Sequence, residues 1–261
     1  MTETAVQRTP SLQSLERGIA VIEVFSREHP ALTVSEVARL TDITRATARR
    51  ILLTLEQLGY VKSDGRRFSL TPRVLTLGWA YMSSLNLWEL ARPLMEVLAE
   101  RTGESCAAAT LDLPDIVSVA RLPSRRIVDV SLGVGTRLPA HATAAGRVLL
   151  AGLPPPELER HLAETALERF TEYTITDPDE LRVAIAGAAK QGWAIVDQEL
   201  EIGLRAVAAP IADPRGGTMA ALVITCTASR VSLGDLRGFL PDLLETAQSI
   251  SASLARQAPV R

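Results

Sequence analysis

The amino-acid sequence predicts an α+β protein with two domains joined by a helix. Three observations predict it: amphipathic helical segments near the N-terminus are followed by two short strands, alternating strands recur in the second half, and further helical segments lie between them. With 261 residues, 47% of them hydrophobic, the chain is long enough for two cores. We place the first domain at residues 11–71, a linker helix at 72–87 and the second domain at 88–256.

Three helices are predicted in the first domain. Residues 11–25 carry apolar side chains at helical spacing, with Ser11 as the N-cap, and residues 35–40 form a short amphipathic second helix. Residues 41–44 form a turn whose Asp and Thr side chains hydrogen-bond nearby backbone and cap the next helix. The third helix covers residues 45–58 and stops at a glycine. The order helix, turn, helix predicts a helix-turn-helix.

Two short strands, residues 60–62 and 67–70, follow the third helix and flank an Asp64-Gly65 pair that favours a tight hairpin. The whole chain has a formal net charge of -2, yet residues 43–73 contain seven basic and two acidic side chains. In winged helix-turn-helix domains, the third helix enters the major groove of DNA and the basic hairpin, or wing, reaches the neighbouring backbone. The first domain is therefore predicted to bind DNA.

The predicted DNA contacts centre on the third helix. Arg45 and Arg49 lie one helical turn apart and project together, so either can pair with guanine, while other arginines neutralise phosphates. The hydroxyls of Thr44 and Thr47, beside the helix N-terminus, are predicted phosphate donors. For any single arginine, the alternative is a solvated helix face. The predicted DNA-binding residues are Thr33, Thr44, Arg45, Ala46, Thr47, Arg49, Arg50, Thr54, Arg66 and Arg67.

The linker helix begins near Pro72, and its apolar side chains predict packing against a second copy of the chain. In the second domain, helices are predicted at residues 88–101, 143–151, 154–165, 177–191 and 232–256. Strands are predicted at 105–111, 116–122, 127–132, 193–196, 206–211 and 218–227, with a loop at 133–142. In the last helix, Ser232 and Asp235 resemble a capping box and Pro241 perturbs the early part. The result is an antiparallel sheet flanked by helices.

Residues 141–147 of the second domain, His-Ala-Thr-Ala-Ala-Gly-Arg, open a helix whose first turn lacks bulky side chains, so backbone N–H groups can approach a ligand carboxylate. Acidic residues at 197, 199 and 201 alternate along a strand-like segment and so share one face. Thr225 and Thr227 share a face of the last strand. Each pattern also has a purely structural interpretation: tight helix packing, a solvated edge strand, or ordinary strand composition.

The sequence contains no nucleophile elbow, no phosphate-binding loop, no dinucleotide fingerprint and no histidine pair at metal spacing. Cys106 and Cys226 lie far apart, which predicts buried reduced thiols. The N-terminus is polar and no apolar segment is long enough to span a membrane, so we expect a cytoplasmic protein without membrane contact. No catalytic residue, metal site or cofactor is predicted.

The chain from about Ser11 to Ala255 resembles the IclR family of bacterial transcription regulators. The resemblance rests on four segments: LTVSEVARLTDITRATARRILLTLEQLGYV, DGRRFSLTPRVLTLG, GTRLPAHATAAGRVLLAGL and GWAIVDQELEIGLRAVAAPI. The last two are most similar to the subgroup that controls aromatic catabolism through protocatechuate and the β-ketoadipate pathway. The resemblance implies a GAF-like effector domain, operator DNA as a partner, and a homodimer formed through the DNA-binding domain and linker helix, often paired into a dimer of dimers.

The same resemblance implies a small carboxylic acid effector such as protocatechuate, 4-hydroxybenzoate or 3-oxoadipate. Family pocket positions fall on Ala144, Ala145, Asp197, Leu204, Ala206, Val223 and Thr225, and the residue patterns add Thr143 and Glu199. Val223 stands where the subgroup often has Asn, Ala206 where relatives have Ser or Cys, and His141 where the subgroup often has Tyr.

The predicted function is that of a ligand-responsive transcription regulator of aromatic-compound catabolism, and not an enzyme. Two alternatives remain open at this point. One is a sensor or enzyme for a different small acid such as glyoxylate or pyruvate. The other is an enzyme acting on an aromatic or dicarboxylic acid, with His141 as a base beside Asp197 and the first domain as a docking module.

Overall fold

The computed structural model describes residues 12–85, 87–124 and 133–257, and the chain divides into two compact units, Met1–Ser84 and Leu85–Arg261. The division falls inside the predicted linker at 72–87. The predicted cap Ser11 and the predicted strand at 127–132 lie outside the described residues. Among the residues described, no helix is both long and apolar enough to cross a membrane.

The first unit contains helices and a two-stranded hairpin. Its elements are α1 (Gln13–Glu23), α2 (Val34–Leu40), α3 (Arg45–Gln57), β1 (Val61–Ser63), β2 (Phe68–Leu70), a 3₁₀ turn (Pro72–Val74) and α4 (Leu75–Leu85). The strands β1 and β2 are antiparallel, and a bridge between Leu32 and Phe68 joins the segment before α2 to the hairpin. The predicted helix-turn-helix and wing are thereby confirmed.

The core of the first unit follows from helical periodicity. In α3, Ala48, Leu52 and Leu55 recur at the three- and four-residue spacing of one helix face, and all three are buried. They pack in one cluster with side chains of α1, α2 and the hairpin, including Val21 and Phe68. Burial of this stripe fixes which face of α3 remains in solvent.

The second unit is built on a six-stranded antiparallel sheet. Its strands are β3 (Ser105–Asp112), β4 (Asp115–Leu122), β5 (Arg137–Pro139), β6 (Ala194–Asp197), β7 (Leu204–Ala212) and β8 (Thr218–Thr227), in the spatial order β5-β4-β3-β8-β7-β6. The helices are α5 (Leu87–Thr102), α6 (Ala144–Ala151), α7 (Pro155–Glu164), α8 (Pro178–Gln191), α9 (Leu233–Gly238) and α10 (Leu240–Gln257). Helix α6 packs on the sheet with α8 behind it, whereas α5 and α10 pack against each other and the sheet in a separate layer.

The structure corrects two predicted elements. The segment 133–142, predicted as loop, contains strand β5 and a 3₁₀ turn, Ala140–Ala142, because Leu138 pairs with Ile116 at the edge of the sheet. The single helix predicted at 232–256 is divided into α9 and α10. Pro241 lacks an N–H and its ring would clash with the preceding turn, so the chain begins a new helix with this proline in the first turn.

A third correction concerns the acidic residues at 197, 199 and 201, which do not share a strand face. Strand β6 ends at Asp197, and the next residue, Gln198, has a left-handed φ of 60°. The Gln198 side chain accepts a hydrogen bond from the Gly203 amide at 3.0 Å, which closes the following bend. Side chains two residues apart share a face only where the backbone is extended. Because the backbone turns at Gln198, the side chains of Asp197 and Glu199 point in different directions.

Candidate functional site

The solvent face of α3 carries the cations predicted to read DNA. Arg45, Arg49 and Arg50 are exposed on the side away from the buried stripe, and Ala46 lies between Arg49 and Arg50 on the helix surface. Within the described part of the chain, no acidic side chain pairs with these three arginines. Their guanidinium groups are therefore available to phosphates or to base edges.

The threonines of the predicted reader have two different arrangements. Thr44 caps α3 by accepting from the Thr47 amide at 3.2 Å, and the two hydroxyl oxygens lie 2.9 Å apart at the exposed helix N-terminus. Thr33 instead shares a capping box with Glu36, and Thr54 donates to the Arg50 carbonyl at 2.9 Å. All four hydroxyls thus have local partners, but those of Thr44 and Thr47 lie at the exposed start of α3.

The wing is held by its own acidic residue. Asp64 accepts from the amides of Arg66 and Arg67 at 2.9 and 2.7 Å, and these bonds lower the pKa of the Asp64 carboxyl. Gly65 at the tip has a φ of 94°, a conformation that favours glycine. Arg67 donates to the Ala31 carbonyl at 3.0 Å and so ties the wing to the segment before α2, whereas Arg66 is exposed.

A shallow apolar groove runs between α1 and α3 in the first unit. Leu15, Ile19 and Leu58 line it with Leu77 of α4, and each of these side chains is exposed, Leu15 by 63%. Thr47, Arg50 and Thr54 of α3 also line the groove. Leu75 and Trp79 add further exposed apolar surface on α4. Clustered exposed apolar side chains of this kind are typical of interaction surfaces.

The second unit contains a cavity of about 70 Å³ between the sheet and the start of α6. A single water needs roughly 10–15 Å³ on the same measure, so the space suits a small compact molecule. Six lining residues are alanines: Ala107, Ala109, Ala142, Ala144, Ala145 and Ala206. Six carry larger apolar side chains: Ile116, Leu138, Val196, Leu200, Leu204 and Val223. The polar members are Ser118, Arg121, Thr143 and Thr225.

Helix α6 presents its N-terminus to this cavity. Thr143 is the N-cap, and its hydroxyl accepts from the Gly146 amide at 3.1 Å. The first amides of a helix have no intrahelical acceptor, so those of Ala144 and Ala145 remain as donors at the cavity wall. Both alanines are buried and neither blocks the approach. The helix start can therefore donate to an oxygen of a bound ligand.

Of the nine residues predicted to bind an effector, seven line the cavity: Thr143, Ala144, Ala145, Leu204, Ala206, Val223 and Thr225. The structure does not bring the two acids to its wall. Asp197 pairs with Arg205, whose Nε donates at 2.6 Å. Glu199 is buried against Arg147, which donates from Nη2 at 2.5 Å, and it also accepts from the Ile175 amide at 3.3 Å. Both carboxylates thus hold neighbouring segments of the protein.

Sequence reasoning missed two polar lining residues, Ser118 and Arg121, both on β4. In the segment DIVSVARL, strict alternation places them on opposite faces of the sheet. Both residues lie on the cavity wall because of the way β4 pairs with β3. This pairing cannot be predicted from the sequence of β4 alone.

The proposed acid–base pair of His141 and Asp197 is not formed. His141 is buried, and its Nε2 lies 3.0 Å from the Glu168 carbonyl oxygen, with the ring 5.8 Å from that of Phe170. Asp197 is engaged by Arg205, as described above. No group of histidine, cysteine and carboxylate side chains among the described residues has a metal-binding arrangement.

Comparison with known proteins places both units in one family. Residues 14–65 match the IclR helix-turn-helix domain, and residues 79–252 match the C-terminal domain of the bacterial transcriptional regulator IclR. The Pca regulon regulatory protein of Pseudomonas putida is 42% identical over 245 residues, covering 93% of this chain and 84% of the relative.

Two crystal structures have similar folds. One is a transcriptional regulator from Rhodococcus sp. RHA1, with a TM-score of 0.83 and 51% identity over 94% of this chain and 99% of that one. The other is an IclR homologue from Microbacterium hydrocarbonoxydans complexed with 4-hydroxybenzoate, with a TM-score of 0.83 and 27% identity over 94% of this chain and all (100%) of that one.

Proposed function

The chain belongs to the IclR family of bacterial transcriptional regulators, and from this membership we propose that it controls genes of aromatic-acid catabolism by binding a small aromatic carboxylic acid. The observation that carries the proposal is the small, alanine-walled cavity with the α6 N-terminus at its edge. The similarity of the chain to a Pca regulon regulator, and to a homologue complexed with 4-hydroxybenzoate, supports this choice of effector class.

The effector proposal is tested by operator binding. We expect 4-hydroxybenzoate or protocatechuate to raise the thermal unfolding temperature of the full chain and to change its affinity for operator DNA in a gel-shift assay. The ligand should be recovered unchanged after incubation, as expected of a sensor without turnover. If no aromatic acid binds, or if binding leaves the DNA complex unaltered, the proposal is wrong.

For the DNA-reading role we propose the exposed arginines of α3 and the wing, namely Arg45, Arg49, Arg50 and Arg66. Arg49→Ala should weaken specific operator binding by about 1–3 kcal/mol if its guanidinium contacts a base, and should relax sequence preference at one position. Loss of a phosphate contact would instead weaken binding to all sequences alike and lower the salt dependence.

Arg237→Ala is the matched control, because Arg237 is also exposed but lies on α9 in the second unit. It removes the same charge from the chain without touching the proposed DNA-reading surface. Operator affinity that is unchanged by Arg49→Ala, or reduced equally by both substitutions, would remove Arg49 from the DNA contacts.

We also propose that the regulator acts as a homodimer whose contact includes the groove between α1 and α3. The support is its exposed leucines and isoleucine, which a second copy would cover. Two copies would present two reading helices to a symmetric operator. The chain passes from one unit to the other through α4, which we propose transmits the effector signal to the DNA-reading units.

A further inference from the structure

The start of α4 is attached to the end of α3, the proposed DNA-reading helix. Thr71 caps the 3₁₀ turn that leads into α4, and its hydroxyl donates to the Gly59 carbonyl at 2.5 Å. The Thr71 backbone amide donates to the Tyr60 carbonyl at 2.9 Å. Gly59 and Tyr60 directly follow Leu58, the C-cap of α3. These two hydrogen bonds therefore join the beginning of one helix to the end of the other.

Arg73 makes a third contact between the same two segments. Its guanidinium carbon lies 5.4 Å from the centre of the Tyr60 ring, within the range of cation–π attraction. The arginine side chain also lies over Gly59, where a Cβ would come within 3.4 Å of Nη1 and 3.5 Å of Cδ. A cation is favourable at this place, because the end of α3 is the negative end of its helix dipole.

The place of Arg73 distinguishes it from the arginines that are proposed to read DNA. In helix-turn-helix proteins, base edges are contacted by residues near the N-terminus of the reading helix. Arg45 and Arg49 lie in that half of α3, next to the cap Thr44. Helix α3 has 13 residues, so its two ends are about 20 Å apart at 1.5 Å per residue. Arg73 packs at the opposite end, beside Gly59.

We infer that Tyr60, Thr71 and Arg73 form a joint through which α4 moves α3, so that Arg73 is a positioning residue for effector control and not a DNA contact. The inference rests on the proposed function, in which α4 transmits the effector signal. Without these contacts, a shift of α4 would be absorbed by the chain at Pro72. With them, the end of α3 follows the start of α4.

The test measures how far an aromatic acid changes operator affinity in the full-length protein. Gel shifts are run with and without 4-hydroxybenzoate and protocatechuate, and binding of each acid to the free protein is measured by calorimetry. One acid or both should change wild-type operator affinity by at least about fivefold. Arg73→Gln should reduce that factor by about 2- to 5-fold, because the cation–π contact is lost.

Two further readouts separate a positioning role from other roles of Arg73. Binding of the acid to free Arg73→Gln should differ from the wild-type value by less than about twofold, because the substitution lies outside the effector cavity. The dependence of operator affinity on salt concentration should be the same in both chains, because no phosphate contact is lost. Loss of a phosphate contact would instead lower the salt slope by about one.

Matched variants test the joint from both of its sides. Thr71→Val removes the hydroxyl bond to Gly59 and should reduce the effector-induced factor, whereas Thr71→Ser keeps the hydroxyl and should behave like the wild-type chain. Arg73→Lys keeps a cation for the Tyr60 ring and should retain most of the factor. Arg237→Gln removes the same charge from α9 and should leave the factor unchanged.

An unchanged effector-induced factor in either Arg73→Gln or Thr71→Val would overturn the joint, and so would a lower salt slope in Arg73→Gln. If Arg73→Gln fails to fold, as judged by circular dichroism, the comparison of Thr71→Val with Thr71→Ser decides the matter. A wild-type chain whose operator affinity responds to neither acid would refute the proposed function, and the joint with it. The two failures are therefore distinguishable, because the second is seen before any variant is compared.

Discussion

At the scale of single residues, the two cysteines illustrate how burial controls reactivity. Cys106 and Cys226 are both buried and unpaired with each other, and burial is the main cause that raises the pKa of each thiol from 9.0 to about 12. At pH 8 almost no thiolate exists in the folded chain. We expect neither residue to be alkylated by iodoacetamide under native conditions and both to be alkylated in denaturant, as counted by mass spectrometry.

The same shift predicts how stability depends on pH. The folded chain holds these thiol protons more tightly than the unfolded chain, whose thiols ionise near 9. Between pH 9 and 12, rising pH therefore favours unfolding. Replacing Cys106 with Ser or Ala should remove part of that slope in denaturant titrations. Rapid alkylation of the native chain at pH 8 would contradict the prediction.

The role of a single residue can be predicted from the sequence where neighbouring residues determine it. Thr143 precedes a helix of small residues, and a threonine there predicts both a cap and an approachable helix start. The prediction that Glu199 shares a face with Asp197 is wrong because the residue between them, Gln198, adopts a left-handed conformation that glycine usually adopts. Arg121 was missed because its direction depends on a bulge, which is a property of two paired strands.

At the scale of elements, α6 is the helix on which the proposed effector site depends most. Its third residue, Gly146, lies against the 3₁₀ turn Ala140–Ala142, and a Cβ at this position would overlap the backbone of Ala140. Gly146→Ala should therefore displace the helix start and lower the free energy of unfolding by about 1–3 kcal/mol. Urea denaturation measures the loss, and weaker effector binding should accompany it.

Gly187→Ala provides the matched control. Gly187 lies within α8, and a Cβ there would meet nothing within 4 Å. Because alanine is the better helix former, this substitution should stabilise the chain by about 1 kcal/mol. An increase in stability from both substitutions would show that α6 does not approach the turn closely.

Elements with strong periodicity were predicted well, and the errors have local physical causes. The apolar stripe of α3 and the Asp64-Gly65 hairpin are determined by nearby residues. Strand β5 has only three residues and exists because β4 offers it an edge. The division between α9 and α10 follows from Pro241, which begins a new helix instead of perturbing a continuous one.

At the scale of the whole molecule, the exposed groove between α1 and α3 determines the proposed assembly. A charge at Leu15 would have to be buried without a partner in a dimer contact, which is unfavourable. Leu15→Glu should therefore shift the chain from dimer to monomer in sedimentation velocity experiments. Operator affinity should fall with it, because a single reading unit makes half of the DNA contacts.

Val183→Glu controls for the added charge. Val183 is 73% exposed on α8 in the second unit, outside the groove. This variant should sediment and bind DNA like the wild-type chain. A dimer that persists in Leu15→Glu would exclude the groove as the contact.

The alanines around the cavity have a consequence for how specificity can diverge among descendants of this chain. An alanine methyl leaves the backbone in place and occupies little space, so exchange for Ser, Cys or Val at 107, 109 or 206 alters one patch of the wall at a time. Each exchange adds a few atoms or one hydroxyl, and the scaffold need not be rebuilt. We therefore expect single mutations at these positions to change which acid the proposed effector cavity accepts.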